Sequence, residues 1–268
     1  MKKILISGLD APQPVRGFAT ADEQADPEVA TRVVFGDGAA PIDLRLHEMA
    51  PGHEVRWTSS RLGHLLYVWE GELEIAGRAL GPGGVVVIEH GAGAAIRAKA
   101  KGCRVVVFNP ANSSGYRPAR AGGHVHVLPA DRVPRAERLQ VHDEVGGALL
   151  ADSRCDSCEF WLHENSFHTP GFVVEPHYHS EDEIILVIGG EVKLGNRIYG
   201  RGTALSVARD TVYGFRSVGT GLAFINFRPS RPSYARAKDA DPVDELSFYQ
   251  ELSAPPFETF AAAGVGPR

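Results

Sequence analysis

An all-β chain built from two tandem copies of one unit is the fold that this 268-residue sequence predicts, and three observations predict it. Apolar residues come in short Val-, Ile- and Leu-rich runs of strand length rather than in long helical periodicities. Thirty glycines and eighteen prolines fall largely between those runs, where a barrel or sandwich turns its chain. Landmark residues of the first half also recur in the second half at a constant spacing.

Taken in order, residues 1–30 are polar and rich in Ala, Asp and Pro after one short strand at 3–6. Strands are expected at 31–35, 42–47, 65–69, 72–75, 85–89, 94–98 and 104–108, most of them bounded by Gly or Pro. Residues 109–123 have linker composition. The repeat then begins. Pro51-Gly52 returns as Pro170-Gly171, an offset of 119, and the same offset carries Gly71 to Gly190, Gly83 to Gly202, Arg97 to Arg216, Gly102 to Gly221 and Phe108 to Phe227. Glycines kept in register mark turns with positive φ or close backbone approach. Leu46-His47-Glu48 also matches Leu162-His163-Glu164, with three extra residues in the later copy. The expected division is 1–116 and 117–268, each within ordinary domain size. The tail from Ser230 reverts to linker composition, with one short helix expected at 244–252, packed over a barrel or a partner subunit.

Composition narrows the function classes. The net charge is -5 and no basic block is present, which argues against a nucleic-acid surface. The opening Met1-Lys2-Lys3-Ile4-Leu5-Ile6-Ser7-Gly8-Leu9-Asp10 starts like a signal peptide, but Gly8 and Asp10 break its apolar run. No stretch approaches the roughly 20 apolar residues of a membrane helix. Three cysteines, an odd number, do not suggest a disulfide framework. A cytoplasmic protein acting on a small molecule is expected. Exposed sheet edges make a homodimer the expected assembly.

The chemistry concentrates in Pro176-His177-Tyr178-His179-Ser180-Glu181-Asp182-Glu183. Two histidines one residue apart share a strand face, and a carboxylate four residues on, ahead of the apolar run 184–188, can reach the same point. Two imidazoles and one carboxylate make a first-row transition-metal site with open positions.

Gly171, His177, His179, Glu183 and Gly190 fit the pattern Gly-x5-His-x-His-x3-Glu-x6-Gly, and with it the chain resembles the cupins. Gly195, Gly200 and residues 208–215 lie where the second cupin motif belongs. The resemblance implies a bicupin, two jelly-roll barrels in tandem, over residues 30–229. It also implies a metal (Fe(II) first, otherwise Mn, Ni, Zn or Cu) on His177, His179 and Glu183. Tyr213 stands where such proteins usually carry a third histidine. It is expected to ligate the metal as a phenolate, to serve catalysis as a neutral proton donor, or only to pack. In the first copy these positions are Thr58, Ser60, His64 and Ala94, so that barrel is expected to bind no metal.

Other groups weigh less. His53 and His90 joining His64 in an unconventional first-barrel site is the alternative to reading them as hydrogen-bonded structural histidines, which is the expected role. His124-Val125-His126 lacks a following carboxylate and reads as an outer strand opening the second unit. Cys155-Asp156-Ser157-Cys158 has zinc-knuckle or redox spacing but no second pair, and reads as structural. His163 and Asn165 are placed to face the second cavity. Trp161, Tyr178, Phe215 and Phe227 are expected as core or pocket aromatics. Arg228 is expected at an exposed rim, with binding of a substrate carboxylate as the alternative.

Overall fold

The computed structural model describes residues 3–18, 26–36, 38–58, 62–110, 113, 122–140, 144–155, 157–238 and 241–261. Its described residues form two large antiparallel sheets, one of ten strands mostly from the first half and one of eleven mostly from the second. Each curls around its own apolar interior. Val55, Leu66, Val68, Val86 and Val105 fill the first barrel, and Ile185, Val187, Leu205, Phe215 and Phe224 fill the second. Strand alternation sends the neighbouring side chains the other way. Leu65, Tyr67, Val106 and Phe108 therefore meet Ile184, Leu186, Ile225 and Phe227 in a third core between the barrels. Phe108 and Phe227, the same position in the two copies, stack on each other with centroids 4.9 Å apart.

The offset of 119 is written into the hydrogen-bond ladder. Leu65 pairs with Phe108 as Ile184 pairs with Phe227, and Glu54 pairs with Arg97 as Val173 pairs with Arg216. The repeated glycines have a common cause. Gly71 (φ 76°) and Gly190 (φ 64°) each lie so close to the backbone of Gly102 and Gly221 that a Cβ would stand 2.1 Å from a carbonyl oxygen. The strands bulge there and bend instead of stopping. For that reason the expected strands 65–69 and 72–75 are one strand, His64–Ile75, and 94–98 and 104–108 are one strand, Gly93–Asn109.

The sheets do not divide at residue 116. Ile4–Gly8 joins the second sheet, pairing with Thr203–Val207. His124–Leu128, expected to open the second unit, joins the first sheet against Val85–Ile88. Each copy lends its leading strand to the other. The Leu-His-Glu match also shifts: His163 lies opposite Asn226, whereas His47 lies opposite Val105, the repeat partner of Phe224. His47 therefore corresponds to Asn165 in space, not to His163.

Beyond Ser230 the chain folds back over its own second barrel. The expected helix is a short 3-10 turn, Glu245–Tyr249, capped by the Asp244 carboxylate accepting from the Leu246 N–H. The strand Glu258–Ala261 then extends the first sheet beside His124–Leu128. No helix among the described residues is long and apolar enough to cross a membrane.

Gly190→Ala places a Cβ against the Gly221 carbonyl and forces a left-handed alanine, so it should lower unfolding stability by about 1–3 kcal/mol or more. Urea denaturation checks this, with Gly195→Ala, whose Cβ meets nothing within 4 Å, reporting the strain of φ alone.

Candidate metal and substrate pocket

The second barrel holds a cavity of about 100 Å³, lined by His163, His177, His179, Tyr213, Arg228 and Glu245 among others. An apolar vestibule of about 320 Å³, which includes Phe172, Phe248 and Arg236, shares Asn165, Tyr234 and Tyr249 with it. The first barrel's interior leaves about 20 Å³ beside His47 and Trp57, room for little more than one water. There His64, the counterpart of Glu183, lies between the Trp57 indole N–H and the Asn109 amide at 3.2 Å each. Thr58 is half-buried and Ser60 lies outside the described residues. His53 pairs with Asp26.

The strand Val173–His179 follows the first copy's register as far as Val174 opposite Phe215, and then bulges. In the first copy Trp57 faces Ala94, so unbroken register would set Pro176 against Tyr213. The bulge sets His177 there instead. Pro176 has no N–H to give the ladder, and bulges of this kind re-aim side chains at sites. The His177 ring lies between Tyr213 (4.5 Å) and Tyr234 (5.0 Å, stacked), with the His179 ring edge-on at 5.0 Å. His177 Nδ1–H donates to the Glu175 carbonyl at 2.8 Å, which leaves the Nε2 lone pair as the ligating face. Burial, and then the neighbouring His179, hold His177 down to a pKa of about 4.

Arg228 is not a rim residue. It is 1% exposed and lies between two carboxylates, with Nη2 on Glu183 at 2.8 Å and Nη1 on Glu245 at 3.0 Å. Asn226 adds a 2.9 Å hydrogen bond to Glu183. Burial opposes the charge on both carboxylates, but Arg228, His179 and the hydrogen bonds the carboxylates accept together outweigh it and hold both below the usual carboxylate range. Tyr213 is the reverse case. Burial, and then Glu183 beside it, push the phenol well above its ordinary value, so it is a neutral hydroxyl turned to Glu183. Phenolate ligation is the alternative this environment opposes. Trp161 Nε1–H donates to His163 Nδ1 at 2.8 Å, and burial depresses His163 to about 3.

Sequence reasoning missed Glu245, Tyr234 and Tyr249, which arrive from the tail, and Tyr249 donates to Asn165 at 2.8 Å. Of the expected aromatics, Phe215 lines the pocket and Trp161 is buried beneath it, while Phe227 faces the inter-barrel core. Tyr178 is half-buried, opposite Ala235.

Two observations bear on whether these residues suit a metal. Glu183, Glu245 and Arg228 sum to one negative charge in a buried site, with His179 beside both carboxylates, and such a site favours a cation. Asn226 Oδ1, a buried acceptor of the pocket, also lacks a hydrogen-bond partner, as does the Arg228 Nε–H, which as a donor offers nothing to a cation. His179 Nδ1 is 3.1 Å from Glu245 Oε2 but off the line of a hydrogen bond, and its Nε2 lies 4.0 Å from Glu183 Oε2. The donor types suit a divalent ion, but the ligand atoms of His177, His179 and Glu183 do not all lie within 4.8 Å of one another, and Glu183 is turned to Arg228.

No family model matches the sequence, and no curated protein matches it. Solved structures do. A Lactobacillus farciminis oxalate decarboxylase in complex with formate superposes with a TM-score of 0.62 at 11% identity, over 87% of this chain and 88% of that one. A point mutant of Bacillus subtilis oxalate decarboxylase gives 0.59 at 12% identity, over 87% and 79%. A candidate dioxygenase from Nostoc punctiforme gives 0.63 at 13% identity, over 90% and 86%. The chain has the bicupin fold.

Stability should fall with acid in two stages. His163 and His177 titrate lower in the folded chain than their unfolded value near 6.5. The unfolded state takes those protons first, and stability falls from about pH 6.5 toward about 3. Below about pH 4.3 the depressed Glu183 and Glu245 add a second loss of the same sign. Urea melts across pH in the presence of a chelator check this. In Arg228→Met two buried carboxylates lose their cation, so about 3–5 kcal/mol should be lost at pH 7 and less at pH 4.

Proposed function

We propose that the second barrel binds one divalent transition metal on His177, His179 and Glu183, and that the chain is a metal-dependent enzyme acting on a small oxygen-rich molecule. By donor type Fe(II) is the first choice, with Mn, Ni, Zn and Cu as alternatives. The reaction class is oxygenase, dioxygenase-like, or else metal-assisted lyase or isomerase. The observation that supports the reading is the gathering of two imidazoles and two buried carboxylates, sharing a single guanidinium, in and beside a chamber otherwise walled largely by aromatic rings. Bound there, a metal supplies Lewis acidity and a template for orienting oxygen ligands.

The protein's own groups do the rest. His177 offers Nε2 because its Nδ1 is tied to Glu175. Arg228 and Asn226 fix the Glu183 carboxylate, and Arg228 and His179 draw Glu245 across the mouth. Tyr213 keeps its proton and holds it beside Glu183, ready for delivery to a developing negative charge at its Oη. A chamber of about 100 Å³ admits a group of only a few heavy atoms as the reacting part of the substrate. That size suits a short carboxylic acid or diketone; two of the similar structures are named for decarboxylating oxalate, a two-carbon diacid. The reading extends to a cytoplasmic homodimer working on a diffusible substrate, without nucleic acid or membrane.

A second reading has one observation behind it. The 2.8 Å ion pair already gives Glu183 a resident cation, so a metal-free barrel binding a small acid is the rival, as a non-catalytic sensing or storage protein. Stoichiometric iron in the purified protein, with O2 uptake on adding diketones or catechols, supports the enzyme. A tightly held organic ligand and no metal supports the rival. On the metalloenzyme reading, His177→Ala loses both metal and activity. Tyr213→Phe keeps its metal and slows turnover by about 10²–10⁴. Full activity in His177→Ala contradicts the reading.

A further inference from the structure

A second cluster lies at the seam between the two sheets, away from the pocket. The loop between the strands Val145–Ala151 and Trp161–Phe167 carries Cys155 and Cys158, and it packs on His126 of the strand His124–Leu128. The donor atoms of His126, Cys155 and Cys158 all fall within 4.8 Å of one another, the single such grouping of His, Cys, Asp and Glu among the described residues. Sequence reading left these residues apart, because the strand exchange that brings His126 to the loop is not visible in their spacing.

We propose that Cys155, Cys158, His126 and Glu89 bind a structural Zn²⁺ that fastens the two barrels together. Tetrahedral zinc with Zn–S near 2.3 Å sets its ligand atoms about 3.5–3.8 Å apart, which His126, Cys155 and Cys158 reach with small side-chain movements, while Glu89, outside that grouping, turns its Oε1 from His126 to the ion. His126 is 2% exposed, and its Nδ1 is occupied by the Thr259 hydroxyl at 2.9 Å. That arrangement leaves Nε2 for the metal, with the opposite ring nitrogen oriented by a partner as zinc histidines usually are. Ser157 Oγ, from the cysteine loop, lies 3.3 Å from the same Nε2, so this face of the ring looks toward the thiols. The fourth donor is Glu89, 3% exposed, with Oε1 at 2.7 Å from His126 Nε2. Its other oxygen accepts from the His124 main-chain N–H and contacts the His124 ring, both at 3.0 Å. The Cys158 N–H points at Cys155 Sγ at 3.4 Å, the turn expected of a Cys-x-x-Cys ligand loop.

Binding is balanced by loss of the proton that the Cys155–Cys158 pair still holds. His126 bound through Nε2 carries its N–H at Nδ1, where the Thr259 hydroxyl accepts it. Glu89 and His126 belong to the first sheet and the cysteines to a loop of the second. Cys158 is part of the inter-barrel core and Cys155 packs against it. The ion therefore crosses the seam created by the exchanged strands.

Cobalt separates this site from the pocket, because no thiolate lines the pocket. Anaerobic titration of the reduced full-length protein with Co²⁺ should give thiolate-to-cobalt charge-transfer absorption at one equivalent. The absorption should survive in His177→Ala and vanish in Cys155→Ser. In a His177→Ala background, zinc should raise the urea midpoint, and adding Cys155→Ser and Cys158→Ser to that background should abolish the rise. Wild-type protein with three titratable thiols and no charge-transfer band would overturn the proposal, as would a band unchanged in Cys155→Ser. A Cys155–Cys158 disulfide that persists in zinc-supplemented preparations would also overturn it.

Discussion

A buried guanidinium between two carboxylates governs the second barrel. Arg228 ends the long strand Tyr213–Arg228, Glu183 begins the strand beside it, and Glu245 comes from the tail. Burying three charges is costly, and breaking the set by removing one member costs more than leaving it whole. The arrangement therefore tethers the tail to the barrel mouth and orients Glu183. It also leaves a net negative charge to be met by a metal or a proton. The tail's Tyr249 and the preceding strand's Tyr234 then complete a wall that sequence position alone would place outside the barrel.

The two copies show how a duplicated unit diverges without losing its frame. Both keep the glycine pair whose backbones touch, and both present Phe108 or Phe227 to the shared core. They differ where a β-bulge before His177 turns an imidazole to Tyr213, and where Asn109 beside His64 is replaced by Arg228 beside Glu183. One copy has a filled interior and the other a polar chamber. The exchanged leading strands make each barrel depend on the other's chain, so the filled copy remains necessary to the chamber's walls.

Much of this was legible in the residues. Strand-length apolar runs and the offset of 119 gave the all-β class and the duplication, because register must be kept wherever a sheet buries one face. The His-x-His pair and Glu183 stood out because period-two alternation makes their shared face readable. Arg228 was not readable in the same way: a terminal strand arginine looks like a rim residue until Glu245, seventeen positions on in a stretch of linker composition, supplies its second partner. His126 and the cysteine pair were separately visible, but their meeting depends on which sheet a five-residue strand joins, and composition does not encode that choice. The Leu-His-Glu match misled because identity of three residues is weaker evidence than ladder register.

The most direct test is a crystal structure of the metal-reconstituted protein with anomalous scattering measured at the metal edge. The account predicts an anomalous peak in the second barrel within bonding distance of His177 Nε2 and His179 Nε2, with Glu183 still held by Arg228 or released to the ion. A pocket with no peak, in protein saturated with Fe(II) or Mn(II) and with the Arg228–Glu183 pair intact, would contradict it.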